Sequence, residues 1–164
     1  MAGLSDFFGW MQASALGVFM RQSGVWTYAL VNLGHILGVS TLFGSIVLLD
    51  LRLMGHWRAV PLSALSRITV PAAQIGFALA ASTGVCLLAT NAREYIGNPF
   101  LLIKFSAIGV GLINVWLLNR LPGWRARGTR ELSACELRQL AVVGGVSLGC
   151  WLTAVGAGRM IGYW

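Results

Sequence analysis

The chain has 164 residues, of which 57% are hydrophobic and only 10% charged, with 21 glycines, 7 tryptophans and a mean hydropathy of +0.74. A soluble domain carries roughly a quarter charged residues, so the composition points to an integral membrane protein. The net charge of +7 does not indicate nucleic acid, because the arginines fall in short connections between apolar runs, where they act as topology signals.

The first 24 residues, MAGLSDFFGWMQASALGVFMRQSG, lack a basic leading region, carry Asp6 early and are interrupted by Gly9 and Gly17, which makes a poor signal peptide. Within 4–21, Leu4, Phe7, Phe8, Met11, Ala15 and Phe19 recur at helical spacing, with Ser5, Asp6, Gln12 and Arg21 at polar positions. That pattern predicts an amphipathic helix lying in the membrane interface. Four runs then follow, at about 26–49, 68–90, 99–119 and 139–161, each apolar enough to cross a hydrocarbon core. The expectation is all-α: a single membrane domain over 1–164, built as a four-helix bundle behind an amphipathic helix.

Local signals mark the ends. Asn98 and Pro99 read as N-cap and first residue of the third span, and Ser133 with Glu136 forms a capping box ahead of the fourth. Trp26, Trp57, Trp124 and Trp164 fall near the expected interfaces, as an aromatic belt does. Cys86, Cys135 and Cys150 show no metal-ligand spacing and read as packing residues.

The connections after spans one and three hold Arg52, Arg58, Arg67, Arg120, Arg125, Arg127, Arg130 and Arg138, eight of the 12 basic residues. The opposite side has Arg21, Arg93, Lys104 and Arg159. Because cytoplasmic loops are enriched in Lys and Arg, both termini are expected outside, on the periplasmic side of a bacterial inner membrane.

Gly34 and Gly38 form one GxxxG stripe, extended by Thr41 and Ser45, and Gly145 and Gly149 form a second, followed by Thr153 and Gly156. Small residues let helices approach closely in lipid. The expected use is packing of span one on span four, with contact to another subunit or to a flat cofactor as the alternatives.

Ionisable residues inside spans are costly, so each is a functional candidate. His35 lies about 13 Å along the helix from Trp26, and Lys104 about 7 Å past Pro99, which puts both at outer-leaflet depth. Arg159 and Tyr163 stand near the outer end of span four, while Gln74 and Asn114 lie deeper. The bland alternatives are a snorkelling Lys104 and a neutral His35 hydrogen-bonded to a carbonyl or to Asn32. Asp50, Arg52 and His56 read as a solvated anchor at the inner boundary. The two histidines would be about 31 Å apart on a continuous helix, so they cannot ligate one iron from opposite faces.

His35 early in the first span, the DLRLMG exit, Gly84 within STGV, and YIGNPFLLIKFSAIG with Lys104 together resemble the CopD-like superfamily of small four-helix inner-membrane proteins. That group holds CopD-type copper-resistance proteins, HemJ-type protoporphyrinogen oxidases and uncharacterised families, and the resemblance is to one of the last, over about 22–120. In HemJ-type proteins a first-span histidine and a third-span lysine are functional and haem b is bound. The resemblance gives those places to His35 and Lys104.

Three functions follow as expectations. The first is haem b binding, for redox transfer or haem handling, with His35 as axial ligand, Gly34 and Gly38 as bare surface for the macrocycle, and Lys104 or Arg159 on the propionates. The second is a non-catalytic accessory subunit of a larger membrane complex, or a homo-oligomer, assembled through the glycine stripes. The third is copper binding or transport, with His35 joined by a methionine or Cys86. No nucleophile is paired with a base, no phosphate loop is present, and GVGLIN follows no strand. The residues thus give no reason to expect catalysis by the chain alone, and no carboxylate in the spans supports proton-coupled transport.

Overall fold

The structure, a computed structural model, describes residues 2–164 apart from the side chains of Ala2 and Leu4. The expectation for Leu4 lies outside the described residues. The chain is all-helical: α1 (Ala2–Ala13), α2 (Ala15–Gln22), α3 (Gly24–Leu53), α4 (Leu62–Thr90), α5 (Pro99–Arg120), α6 (Pro122–Arg125) and α7 (Ala134–Met160), with short 3₁₀ turns at Ala92–Tyr95 and Ile161–Tyr163. Four helices are long and apolar enough to cross a membrane: α3, α4, α5, and α7 with its 3₁₀ extension to Tyr163.

Each boundary has a local cause. The expected helix over 4–21 is broken in two, because the Ser14 hydroxyl donates to the Met11 carbonyl at 2.6 Å and accepts from the Gly17 amide, capping α2. α3 starts at Gly24, at φ +80°, and ends before Gly55 at φ +99°, where Arg52 Nε closes the turn onto the Val60 carbonyl at 2.7 Å. Glycine takes these left-handed conformations without a Cβ clash. α4 begins at Leu62, ahead of the expected residue 68, since its first turns carry Ser63, Ser66 and Arg67, which are polar yet compatible with a helix. Pro99 opens α5 as expected, and the Ser133–Glu136 capping box is formed at α7.

The contacts divide the chain into two compact units. The first runs up to Leu42 and includes Gln74–Asn98. Here α3 and α4 mesh through glycines: a Cβ at Gly38 would lie 2.7 Å from the Ala80 nitrogen, and one at Gly76 would lie 2.5 Å from the Leu42 nitrogen. The first GxxxG stripe therefore seats α4, the second long helix, where the sequence suggested span four. α1 and α2 are tied to the end of α4. Arg21 donates to the Thr90 carbonyl at 3.0 Å and the Gln12 carbonyl at 2.8 Å, and Gln12 Oε1 accepts from the Arg93 amide at 2.8 Å. Phe8 and Met20 are buried in this unit, while Phe7, Trp10 and Phe19 are exposed.

The second unit comprises Phe43–Ala73 and Pro99–Trp164. Its core joins Leu49, Leu53, Leu62, Leu118, Trp124 and Leu140. Trp124 is thus a core residue, not part of an interfacial belt: its Nε1 donates to Asn119 Oδ1 at 3.1 Å, and the Arg127 guanidinium covers its ring at 3.9 Å. α7 turns Leu140, Gly144, Ser147, Trp151, Ala154 and Ala157 inward. A Cβ at Gly144 would meet Leu53 Cβ at 3.0 Å, whereas one at Gly145, Gly149 or Gly156 would find nothing within 4 Å. The second GxxxG stripe is thus one position off the packed face. Asn114, buried on α5, donates to the Val143 carbonyl at 3.0 Å.

Candidate functional site

His35 projects from α3 toward the α4 segment 79–84 and is half-buried. Its Nδ1 lies 2.9 Å from the Ala80 carbonyl oxygen and 3.2 Å from Thr83 Oγ1. A carbonyl only accepts, so Nδ1 carries a proton and donates, and in the neutral imidazole Nε2 is then the lone-pair nitrogen. The Thr83 hydroxyl donates to the Leu79 carbonyl at 2.5 Å, which leaves its oxygen able to accept from the imidazole. Gly84 makes room for the ring, since a Cβ there would stand 3.1 Å from His35 Cε1. A Cβ at Gly34 would lie 3.3 Å from the Thr83 methyl carbon.

A backbone carbonyl on one imidazole nitrogen is the usual outer-shell arrangement of a metal-ligating histidine, because it fixes the tautomer and the ring plane. Of the sequence alternatives for His35, the carbonyl contact is the one formed, and it is compatible with ligation at Nε2. Haem needs one such side chain, since the porphyrin supplies the four equatorial nitrogens. The ligand fits; the expected bare surface does not, because the face of Gly38 is closed by the α4 backbone.

Lys104 and Arg159 belong to the second unit, and Gly34, His35 and Gly38 to the first. Lys104 is half-buried, and its stem runs beside Gly158, where a Cβ would lie 3.5 Å from Nζ. Among the described residues it makes no ion pair. Arg159 is exposed, donates to the Tyr163 hydroxyl and stacks over that ring at 4.7 Å. No group of three His, Cys, Asp or Glu side chains suited to hold a metal ion occurs among the described residues.

Asp50 departs from its sequence reading. It is 3% exposed, accepts from the Ser147 hydroxyl, and its Oδ2 has no partner among the described residues. The solvated boundary is left to Arg52 and His56, whose Nδ1 lies 3.2 Å from the Leu51 carbonyl. The sequence reading missed the Ala80 carbonyl, Thr83, and the Asp50–Ser147 pair. The run of small residues ahead of Gly84, ALAAST, was the available signal for the first two, since only a helix face that small lets an imidazole reach a backbone carbonyl.

Fold and site together define an all-helical protein with four helices long and apolar enough to span a membrane, compatible with a multi-pass membrane protein, and one tautomer-fixed imidazole between two of them. The chain belongs to DUF6644, a family of unknown function, whose profile matches residues 7–164. No curated protein and no solved structure matches the chain.

Proposed function

We propose that the chain is a multi-pass protein of the bacterial inner membrane that binds haem b through His35 and serves redox transfer or haem handling, as a member of the CopD-like superfamily that its motifs resemble. The observation that carries this reading is the Nδ1 donation to the Ala80 carbonyl at 2.9 Å, which presents Nε2 as the ligating atom. When bound, the iron supplies one-electron chemistry. The chain's part is to hold the imidazole: the Ala80 carbonyl and Thr83 hydroxyl take Nδ1, and Gly84 leaves room beside the same edge of the ring. The arginine distribution supports an orientation with both termini in the periplasm and His35 in the outer leaflet. The test is an absorption spectrum of protein purified from haem-replete cells. A Soret band that is absent in His35→Ala is expected, and a colourless, folded wild type overturns the reading.

One observation favours a second reading, an accessory subunit or homo-oligomer. Gly145, Gly149 and Gly156 share a stripe of α7 with nothing within 4 Å of an added Cβ, which is the surface a partner helix packs on in lipid. Purification in mild detergent with crosslinking tests it, and a monomer without partners overturns it. Copper would need His35 to be joined by further soft or imidazole ligands, which makes it the less supported cargo.

A further inference from the structure

A cleft of about 320 Å³ opens in the second unit between the first turns of α4 and the loop that follows α6. Arg67, Arg125 and Arg127 line it, with the hydroxyl residues Ser63, Ser66 and Thr129, and no carboxylate is among its lining residues. We propose that this cleft binds a phosphate group, presented either by an anionic phospholipid headgroup or by free phosphate in the adjoining aqueous phase.

The cleft is built rather than incidental. Arg127 is held on three sides: Nε donates to Ser66 Oγ at 3.0 Å, Nη1 donates to the Trp124 carbonyl at 2.6 Å, and the guanidinium lies over the Trp124 ring at 3.9 Å. Its Nη2 has no partner among the described residues. Burial pulls this guanidinium below its usual range, a cost that a bound anion reverses. Ser66 Oγ is itself oriented by donation to the Ser63 carbonyl at 3.1 Å. The loop comes this close because of Gly128, where a Cβ would stand 3.2 Å from Ser63 Cβ. Arg125 spends Nε on the Asn119 carbonyl at 3.0 Å, which fixes the side chain and leaves its terminal nitrogens available. Arg67 makes no hydrogen bond or ion pair among the described residues.

Three guanidinium groups in one cleft repel one another unless an anion stands between them, and the one ion pair among the described residues, Arg130 with Glu136, lies outside it. Planar guanidinium forks match phosphate oxygens, and hydroxyls supply the remaining donors. The cleft also lies at the arginine-rich end of the long helices, the side the charge pattern assigns to the cytoplasm. Basic pockets on that side recognise anionic headgroups.

The test uses the full chain in an uncharged detergent. Native mass spectrometry reads retention of added phosphatidylglycerol against phosphatidylcholine, and calorimetry reads binding of inorganic phosphate. Phosphatidylglycerol is expected to be retained in preference, with affinity falling about fivefold for each arginine removed in Arg67→Gln/Arg125→Gln. Phosphate binding that shows the same loss, without any lipid preference, identifies free phosphate as the source. Equal retention of both lipids with no phosphate binding, or a preference unchanged in the double variant, overturns the proposal. If the double variant does not fold, Arg67→Gln alone tests it, since that exposed side chain makes no contact the fold depends on. Neither residue touches His35, so this result is independent of the haem reading.

Discussion

Gly38→Ala tests the meshing that positions His35. The added Cβ would lie 2.7 Å from the Ala80 nitrogen, 3.0 Å from the Gly76 carbonyl oxygen and 3.1 Å from Ala80 Cα. All three are backbone atoms, so no side-chain rotation relieves the contact. Restoring an ordinary separation of about 3.5 Å requires α3 and α4 to part by roughly 0.8 Å. The same displacement carries His35 Nδ1 from 2.9 Å to beyond hydrogen-bonding distance of the Ala80 carbonyl. Overpacking costs about 1–3 kcal/mol and the lost hydrogen bond about 0.5–1.5 kcal/mol. The helix preference of alanine returns about 1 kcal/mol. A net loss of about 1–3 kcal/mol is expected. Gly149→Ala, made in the other GxxxG stripe where nothing lies within 4 Å, has only the propensity term and gains up to about 1 kcal/mol. Reversible unfolding in mixed micelles compares the two, and the imidazole nitrogen NMR spectrum follows the Nδ1 proton. Equal stability of the two variants, with the Nδ1–H resonance of Gly38→Ala in place, would refute the packing argument.

Leu140, 1% exposed in the centre of the second unit's core, is expected to lose about 2–5 kcal/mol on replacement by Ala; a loss below about 1 kcal/mol in the same unfolding assay would contradict its placement. Ser147→Ala removes a donor to the buried Asp50 carboxyl and is expected to cost about 1–3 kcal/mol. Asp50→Asn keeps the shape and removes the acid, so it should be neutral or stabilising, and the opposite ranking of these two would show that Asp50 is not enclosed as described.

The long helices were legible because length and hydropathy alone identify them, and the starts of α5 and α7 because Pro99 and the Ser133–Glu136 box act locally. Which face each helix buries was not. α7 is apolar around most of its circumference, so no amphipathic stripe distinguishes Gly144 and Ser147, which pack, from Gly145 and Gly149, which do not. The same ambiguity misplaced Asp50. One carboxylate beside Arg52 looks like a boundary until Ser147 and Gly144 are found opposite it. At the candidate site, His35 and Gly84 were readable as residue types in unusual places. The Ala80 carbonyl was not, because a backbone acceptor leaves no mark in the sequence; only the register of two helices reveals it.

That carbonyl has a consequence for proton traffic. An imidazole passes a proton along a chain only if one nitrogen takes it up while the other releases it to a base. Nδ1 of His35 faces a peptide oxygen, which does not accept a proton at physiological acidity, and a threonine hydroxyl already committed to the Leu79 carbonyl. On its Nδ1 side the ring therefore has no base to pass a proton to, and a proton relay through that nitrogen would have to break the contact with the Ala80 carbonyl first.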